Sequence, residues 1–163
     1  LVPWRLYKTW SCLFCGECCK KYMVPLSKFE AKLIKKLFGE DKVIKIKEKY
    51  FLARRQDGSC IFLRNNTCSI QEYKPLACKL WPFYIYRKPL GDNNKRLSVY
   101  DYRGEIFYVY VDPSCKGLNK GFTPINEIVK EADIKSKKLR RGYIRIDIED
   151  PNIKKELLIL KKY

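Results

Sequence analysis

The sequence predicts an α+β domain organised around cysteines. Three observations lead there: short hydrophobic runs parted by turn residues that read as hairpins, capped helical patterns towards both ends, and eight cysteines placed between residues 12 and 115. At 163 residues the chain is expected to form one domain, long enough to bury roughly two-thirds of the surface its unfolded form exposes. Its last stretch, 122–163, reads as a C-terminal helix-strand-helix extension.

In chain order, Trp4, Leu6, Tyr7 and Trp10 lie in an extended lead into the loop Cys12-Leu13-Phe14-Cys15-Gly16-Glu17-Cys18-Cys19. Ser27 and Glu30 then form a capping box, and a helix over 28–38 follows, with Phe29, Leu33, Leu37 and Phe38 as its apolar face and Gly39 as its stop. Short strands are expected over Val43–Lys47 and Tyr50–Ala53. Asp57-Gly58 makes a turn, and Asn65-Asn66 joins Cys60–Leu63 to Cys68–Ile70 as a hairpin that brings Cys60 and Cys68 together. Pro75 opens a short helix carrying Cys78 that ends before Pro82.

A second sheet is expected from Phe83–Arg87, Leu97–Tyr102 and Glu105–Val111, with a turn at Arg103-Gly104 and Cys115 in the loop after it. Thr123 with Pro124 starts a helix whose Ile125, Ile128, Val129 and Ala132 share a face, running on to Arg141. Tyr143–Ile148 alternates as a strand, and Asp150-Pro151 opens a last helix with Ile153, Leu157 and Leu160 inside.

Composition narrows the function. The chain is 46% hydrophobic, as a globular protein is, and its longest apolar run, Leu80 to Tyr86, is far below the ~20 residues of a membrane span. It carries no secretory pattern at its start, so a cytoplasmic protein without a transmembrane segment is expected. Histidine is absent, which excludes Ser-His-Asp and Cys-His catalysis, HExxH zinc sites and two-cysteine, two-histidine fingers. No catalytic constellation is found, and the chain reads as a binding protein more than as an enzyme. One Met and two Gln beside many Lys and Ile suggest a thermophile.

The formal charge is +17, unevenly spread: residues 1–100 hold 21 Lys+Arg against 8 Asp+Glu, and residues 101–163 hold 14 against 10. Such a charge favours an anionic protein or nucleic acid as partner, with Lys135, Lys137, Lys138, Arg140 and Arg141 the densest basic run. The alternative is a lysine-rich thermophile surface with no dedicated polyanion.

Thiolates suit zinc and iron-sulfur clusters, which take soft anionic donors in tetrahedral array. Cys12, Cys15 and Cys18 repeat at C-x2-C-x2-C, the spacing that holds three corners of a [4Fe-4S] cluster in bacterial ferredoxins, with a remote cysteine, here Cys78, as the fourth. Structural zinc more often uses two separated C-x2-C knuckles, so iron is favoured over one or two zinc ions. Cys18 and Cys19, read as neighbours on an extended backbone, point to opposite sides, so that they divide between two centres or leave one thiol idle. Buried unligated thiols and a disulfide framework are the competing readings.

These elements, together with Asp57-Gly58-Ser59-Cys60-Ile61-Phe62-Leu63, Asn66-Thr67-Cys68-Ser69-Ile70-Gln71-Glu72-Tyr73-Lys74-Pro75-Leu76-Ala77-Cys78-Lys79-Leu80-Trp81-Pro82-Phe83 and Cys115-Lys116-Gly117-Leu118-Asn119-Lys120-Gly121, resemble the YkgJ-type cysteine cluster family, the CxxCxxCC zinc- or iron-chelating domain. The resemblance spans 12–121, which it marks as a cysteine-cluster metal-binding region, and implies that Cys12, Cys15, Cys18, Cys19, Cys60, Cys68, Cys78 and Cys115 are all metal ligands. It departs at Gln71, where an aromatic is usual, and at Lys74 and Lys79, where arginines are common and planar guanidinium contacts are lost. One similar group, the flagellin lysine N-methylases, uses S-adenosylmethionine, but no glycine-rich methyl-donor loop follows a strand here.

The leading expectation is an iron-sulfur protein whose cluster is structural or carries electrons, with a basic surface for an anionic partner. A zinc-stabilised module for RNA or the ribosome and a lysine methylase component are the alternatives. Arg103 to Tyr110 is weakly similar to an RNA-recognition strand, although aromatics on a hairpin more often pack across strands.

Overall fold

The computed structural model describes residues 1–137 and 146–147. The fold is mixed helix and antiparallel sheet, as expected, and divides into two compact units, one of Leu1–Cys15 with Lys79–Gly142 and one of Gly16–Cys78 with Tyr143–Tyr163. The division falls inside the cysteine loop, after Cys15.

The unit that starts at Gly16 opens with a single helical turn, α1, Glu17–Lys21. A three-stranded antiparallel sheet follows in the order Pro25–Leu26, Lys49–Leu52, Val43–Ile46. Helix α2, Lys28–Phe38, has both halves of the expected capping box: Glu30 N–H donates to Ser27 Oγ at 3.1 Å, and Ser27 N–H donates to Glu30 Oε2 at 2.8 Å. Its inner face differs from the expected one. Ala31 and Ile34 are buried with Phe38 packed beside them, whereas Phe29 is 75% exposed and Leu37 44%. Positions 31, 34 and 38 follow the i, i+3, i+7 stripe, and the small Ala31 lets the helix lie close to the sheet. The buried group continues through Val24, Leu26, Val43, Leu52, Phe62, Leu63, Ile70 and Ala77.

The hairpin is present but shorter than expected. Leu63–Arg64 pairs with Thr67–Cys68 across Asn65-Asn66, both at positive φ, as a two-residue primed turn requires. Cys60 is not in this ladder. It forms a bridge with Arg54, and the chain then turns at Ile61-Phe62, with Leu63 N–H donating to Cys60 O at 3.0 Å. Helix α3, Leu76–Leu80, starts one residue after Pro75 and carries Cys78. Ile146–Asp147 pairs with Tyr22–Met23. The rest of the strand expected over 143–148, the end of the helix expected to reach 141, and the last helix lie outside the described residues.

In the other unit, the seven-residue strand Glu105–Val111 is central. It pairs antiparallel with Phe83–Tyr86, with Val99–Tyr102 and with Val2–Pro3. A helical turn, α4, Lys95–Ser98, replaces the start of the strand expected from Leu97, since Ser98 is fully buried and its hydroxyl donates to Lys95 O at 3.0 Å. Helix α5, Ile125–Lys137, packs against Phe83–Tyr86 and buries Ile125, Val129 and Ala132. It starts after Pro124 because Pro124 is engaged in a bridge with Thr9. Phe107 and Tyr110 are buried, and Tyr110 meets Tyr86 edge-on at 5.8 Å, so these aromatics pack the sheet and are not free to stack on bases.

Glu30 has a role beyond its cap. Its Oε1 accepts the N–H of Leu76, the first residue of α3, at 2.8 Å, so one carboxylate holds the starts of α2 and of the helix that carries Cys78. Glu30→Ala is therefore expected to cost about 2–3 kcal/mol, against about 1 kcal/mol for Ser27→Ala, which removes the cap alone. Urea unfolding of the two variants measures the difference, and equal losses would show that the Leu76 bond contributes nothing.

Candidate metal centre

Five of the eight cysteines, Cys18, Cys19, Cys60, Cys68 and Cys78, belong to the unit that starts at Gly16, and Cys12, Cys15 and Cys115 belong to the other. All eight are free thiols, so the disulfide framework is not what the structure shows.

In the five-cysteine unit, geometry begins at Gly16. It sits at φ +72°, and a Cβ there would stand 3.1 Å from the Asn66 Cα and carbonyl oxygen and 3.1 Å from Leu63 Cδ1. Only glycine lets the start of α1 lie against the tip of the hairpin that carries Cys68. Cys19 and Lys20 N–H both donate to Gly16 O, which closes the turn. Cys18 and Cys19 therefore sit on a helix and not on an extended strand. Successive residues on a helix differ by about 100° and not 180°, and the two thiols are hydrogen-bonded to each other. The expectation that they face opposite ways is corrected by this turn.

Cys19 is the hub. Its backbone carbonyl accepts the N–H of Cys60 at 2.8 Å, tying α1 to the Cys60 turn. Its thiol is held far above the ordinary thiol range by the hydrogen bond to Cys18, then by burial, then by the charges that Cys18, Cys60 and Cys78 would carry as thiolates. The Cys60 thiol is also pushed up, chiefly by burial, with Cys68 and Cys18 adding repulsion while Arg54 opposes it. Sulfurs in such a group stay protonated until a cation offsets their mutual repulsion.

Arg54 was not among the residues that the sequence singled out. Its half-buried guanidinium forks into four backbone carbonyls: Nη2 donates to Cys19 O at 3.1 Å and to Lys20 O at 2.6 Å, Nη1 to Tyr22 O and Nε to Gly58 O. Three of these close the C-terminal end of α1, whose carbonyls have no partners within the helix. Burial lowers the Arg54 pKa from its ordinary value, and negative charge on Cys60 and Cys19 acts to raise it again. No spacing rule marks an arginine outside a motif as the clamp of that motif; the only hint was its place just before the Asp57-Gly58 turn. Arg55 supports the same loop, its N–H donating to Ser59 O at 2.8 Å and its Nη2 to Ile61 O at 3.3 Å.

In the three-cysteine unit, residues 8–11 are laced to the loop after Cys115. Ser11 N–H donates to Gly117 O at 3.1 Å, Asn119 N–H to Thr9 O at 2.8 Å, and Lys8 N–H to the Asn119 side chain at 2.9 Å. Gly117 is required by contact: a Cβ there would lie 2.0 Å from Ser11 O. Trp10 Nε1 donates to Cys115 Sγ at 3.3 Å. An indole N–H stabilises a sulfur that carries negative charge, as a ligating thiolate does.

Among the described residues no three His, Cys, Asp or Glu side chains are yet close enough to grip one ion. The donors of each unit nonetheless suit a soft metal: neighbouring thiols with an arginine beside them in one, a thiol with an indole N–H beside it in the other, and no histidine in the chain. Of the basic run, Lys135 and Lys137 lie on α5, while Lys138, Arg140 and Arg141 lie outside the described residues. No described helix is long and apolar enough to cross a membrane.

Residues 11–116 match the family model CxxCxxCC, described as a "Putative zinc- or iron-chelating domain". No curated protein and no solved structure gives a match.

The Arg54 fork yields an expected order for metal retention, wild type above Arg54→Lys above Arg54→Ala. Alanine is expected to cost about 2–4 kcal/mol in stability, because it removes a donor from each of four carbonyls at the end of α1 and at Gly58. Lysine keeps the charge but cannot serve four acceptors from one planar group. Metal per chain and thermal unfolding give the readout; full retention in Arg54→Ala would remove the clamp from the account.

Proposed function

The chain belongs to the CxxCxxCC family, and we propose that its cysteines hold an iron-sulfur cluster of the [4Fe-4S] type, structural or electron-carrying, while its basic surface docks an anionic protein or nucleic acid. The observation that carries this reading is the gathering of Cys18, Cys19, Cys60, Cys68 and Cys78 in one unit around the α1 turn. The C-x2-C-x2-C spacing of Cys12, Cys15 and Cys18 favours iron over zinc within the family's two metals. All eight cysteines are candidate ligands, of which one [4Fe-4S] cluster takes four.

When bound, the cluster would supply a cationic centre for the thiolates and, if it cycles, one electron at a time. The residues of the chain prepare for it. Gly16 permits the turn, Arg54 closes its end, and Glu30 anchors the helix of Cys78. Trp10 donates to Cys115, and hydrogen bonds to ligating sulfur move a cluster's potential.

Protein purified without oxygen is expected to be brown, to absorb broadly near roughly 400 nm and to contain about four irons and four sulfides per chain. Colourless protein with stoichiometric zinc would overturn the choice of iron and leave a zinc-stabilised module. Removing the metal with a chelator is expected to lower the thermal midpoint by about 2–8 °C for a 1–2 kcal/mol linkage. An unchanged midpoint would separate the metal from the fold.

A further inference from the structure

We propose that the unit starting at Gly16 also binds a small organic monoanion with a flat apolar body, such as an aromatic carboxylate, in a cavity beside the hairpin. The cavity has a volume of about 320 Å³ and is floored by Phe38, Ile61, Phe62 and Ile70. At ~30 Å³ per water-sized group this is room for roughly ten such groups, at the small end of ligand pockets. Phe62 and Ile70 are each 5% exposed and belong to the buried core of this unit, so the floor is rigid. Phe38, half-buried, meets Phe62 edge-on at 5.3 Å and supplies aromatic surface to the cavity wall, against which a planar body can pack.

The rim sets the charge. Lys42, Arg55 and Arg64 line the cavity. Lys42 is paired with the Asp41 carboxylate, and Asp57 acts on Arg55, whose Nη2 also donates to Ile61 O. Three cations face two carboxylates, so one negative charge completes the balance. Arg64 is the cation left over, exposed and with no side-chain partner among the described residues, and its planar fork suits a carboxylate. The Ser69 hydroxyl also lines the cavity but donates to Phe62 O at 3.1 Å, which leaves the ligand's carboxylate to Arg64. A flat body on the floor and a carboxylate on Arg64 use both features at once; an inorganic anion would use only the rim.

The site does not depend on which metal the cysteines hold, and metal content measured on the same samples keeps the two readings apart. Benzoate is the probe, titrated into the metal-loaded full chain by calorimetry and followed at backbone amides by NMR. Saturable binding with a dissociation constant of about 1 mM or tighter is expected, with shifts at Ile61, Ser69 and Ile70. Acetate, inorganic phosphate and benzyl alcohol are expected to bind at least about tenfold more weakly, since each lacks the body or the charge. Arg64→Glu should weaken benzoate by about tenfold or more with metal content unchanged, and Arg64→Lys should weaken it less. No saturable binding, equal binding by Arg64→Glu, or shifts confined to other residues would overturn the proposal. Phosphate binding as tightly as benzoate would do the same, by showing that the apolar floor contributes nothing.

Discussion

The arrangement of the cysteines depends on one half-buried cation. Arg54 donates to the carbonyls of Cys19, Lys20, Tyr22 and Gly58, and so fixes the end of the turn that presents Cys18 and Cys19. A desolvated guanidinium is costly unless its donors are taken up. Here three of the four acceptors are carbonyls at the end of a five-residue helix, which cannot pair them for itself. Each side removes the other's penalty, and the pairing holds a charge beside Cys60 and Cys19 where thiolates need one.

The thiols supply the opposite constraint. The hydrogen bond to Cys18 at Cys19, with burial and mutual repulsion at both, keeps Cys19 and Cys60 protonated in the absence of a cation, and a single arginine does not offset several thiolates. A metal centre is the partner of the right sign and softness. The same logic explains the contact at Gly16, since a side chain there would push the hairpin of Cys68 away from the turn of Cys18 and Cys19. In the other unit Gly117 and Trp10 serve Cys115 in a comparable way, by close backbone approach and by a donor to sulfur.

Much of the fold was legible in the sequence because it rests on local rules. The Ser27–Glu30 box gave the start of α2, Asn65-Asn66 the hairpin turn, and Pro75 the start of α3. What was not legible depends on contacts distant in sequence. The inner face of α2 is chosen by the sheet beneath Ala31 and Ile34, not by the larger Phe29 and Leu37. Cys60 leaves the ladder because its N–H is taken by Cys19 O. The candidate ligands were visible as residue types and spacing, and the matched family model is described as zinc- or iron-chelating. Their support was not, because Arg54 and the second bond of Glu30 act across 35 and 46 residues and no local pattern encodes them.

The central claim is that Cys18 and Cys19, joined on one helical turn with their thiols hydrogen-bonded, serve the same metal environment. Cys18→Ser and Cys19→Ser, each alone and reconstituted without oxygen, test it through metal content and the absorption spectrum. The account predicts that both variants lose the same spectral signature and a comparable share of the metal. Full metal retention in either one, or the loss of two different signatures, would contradict it.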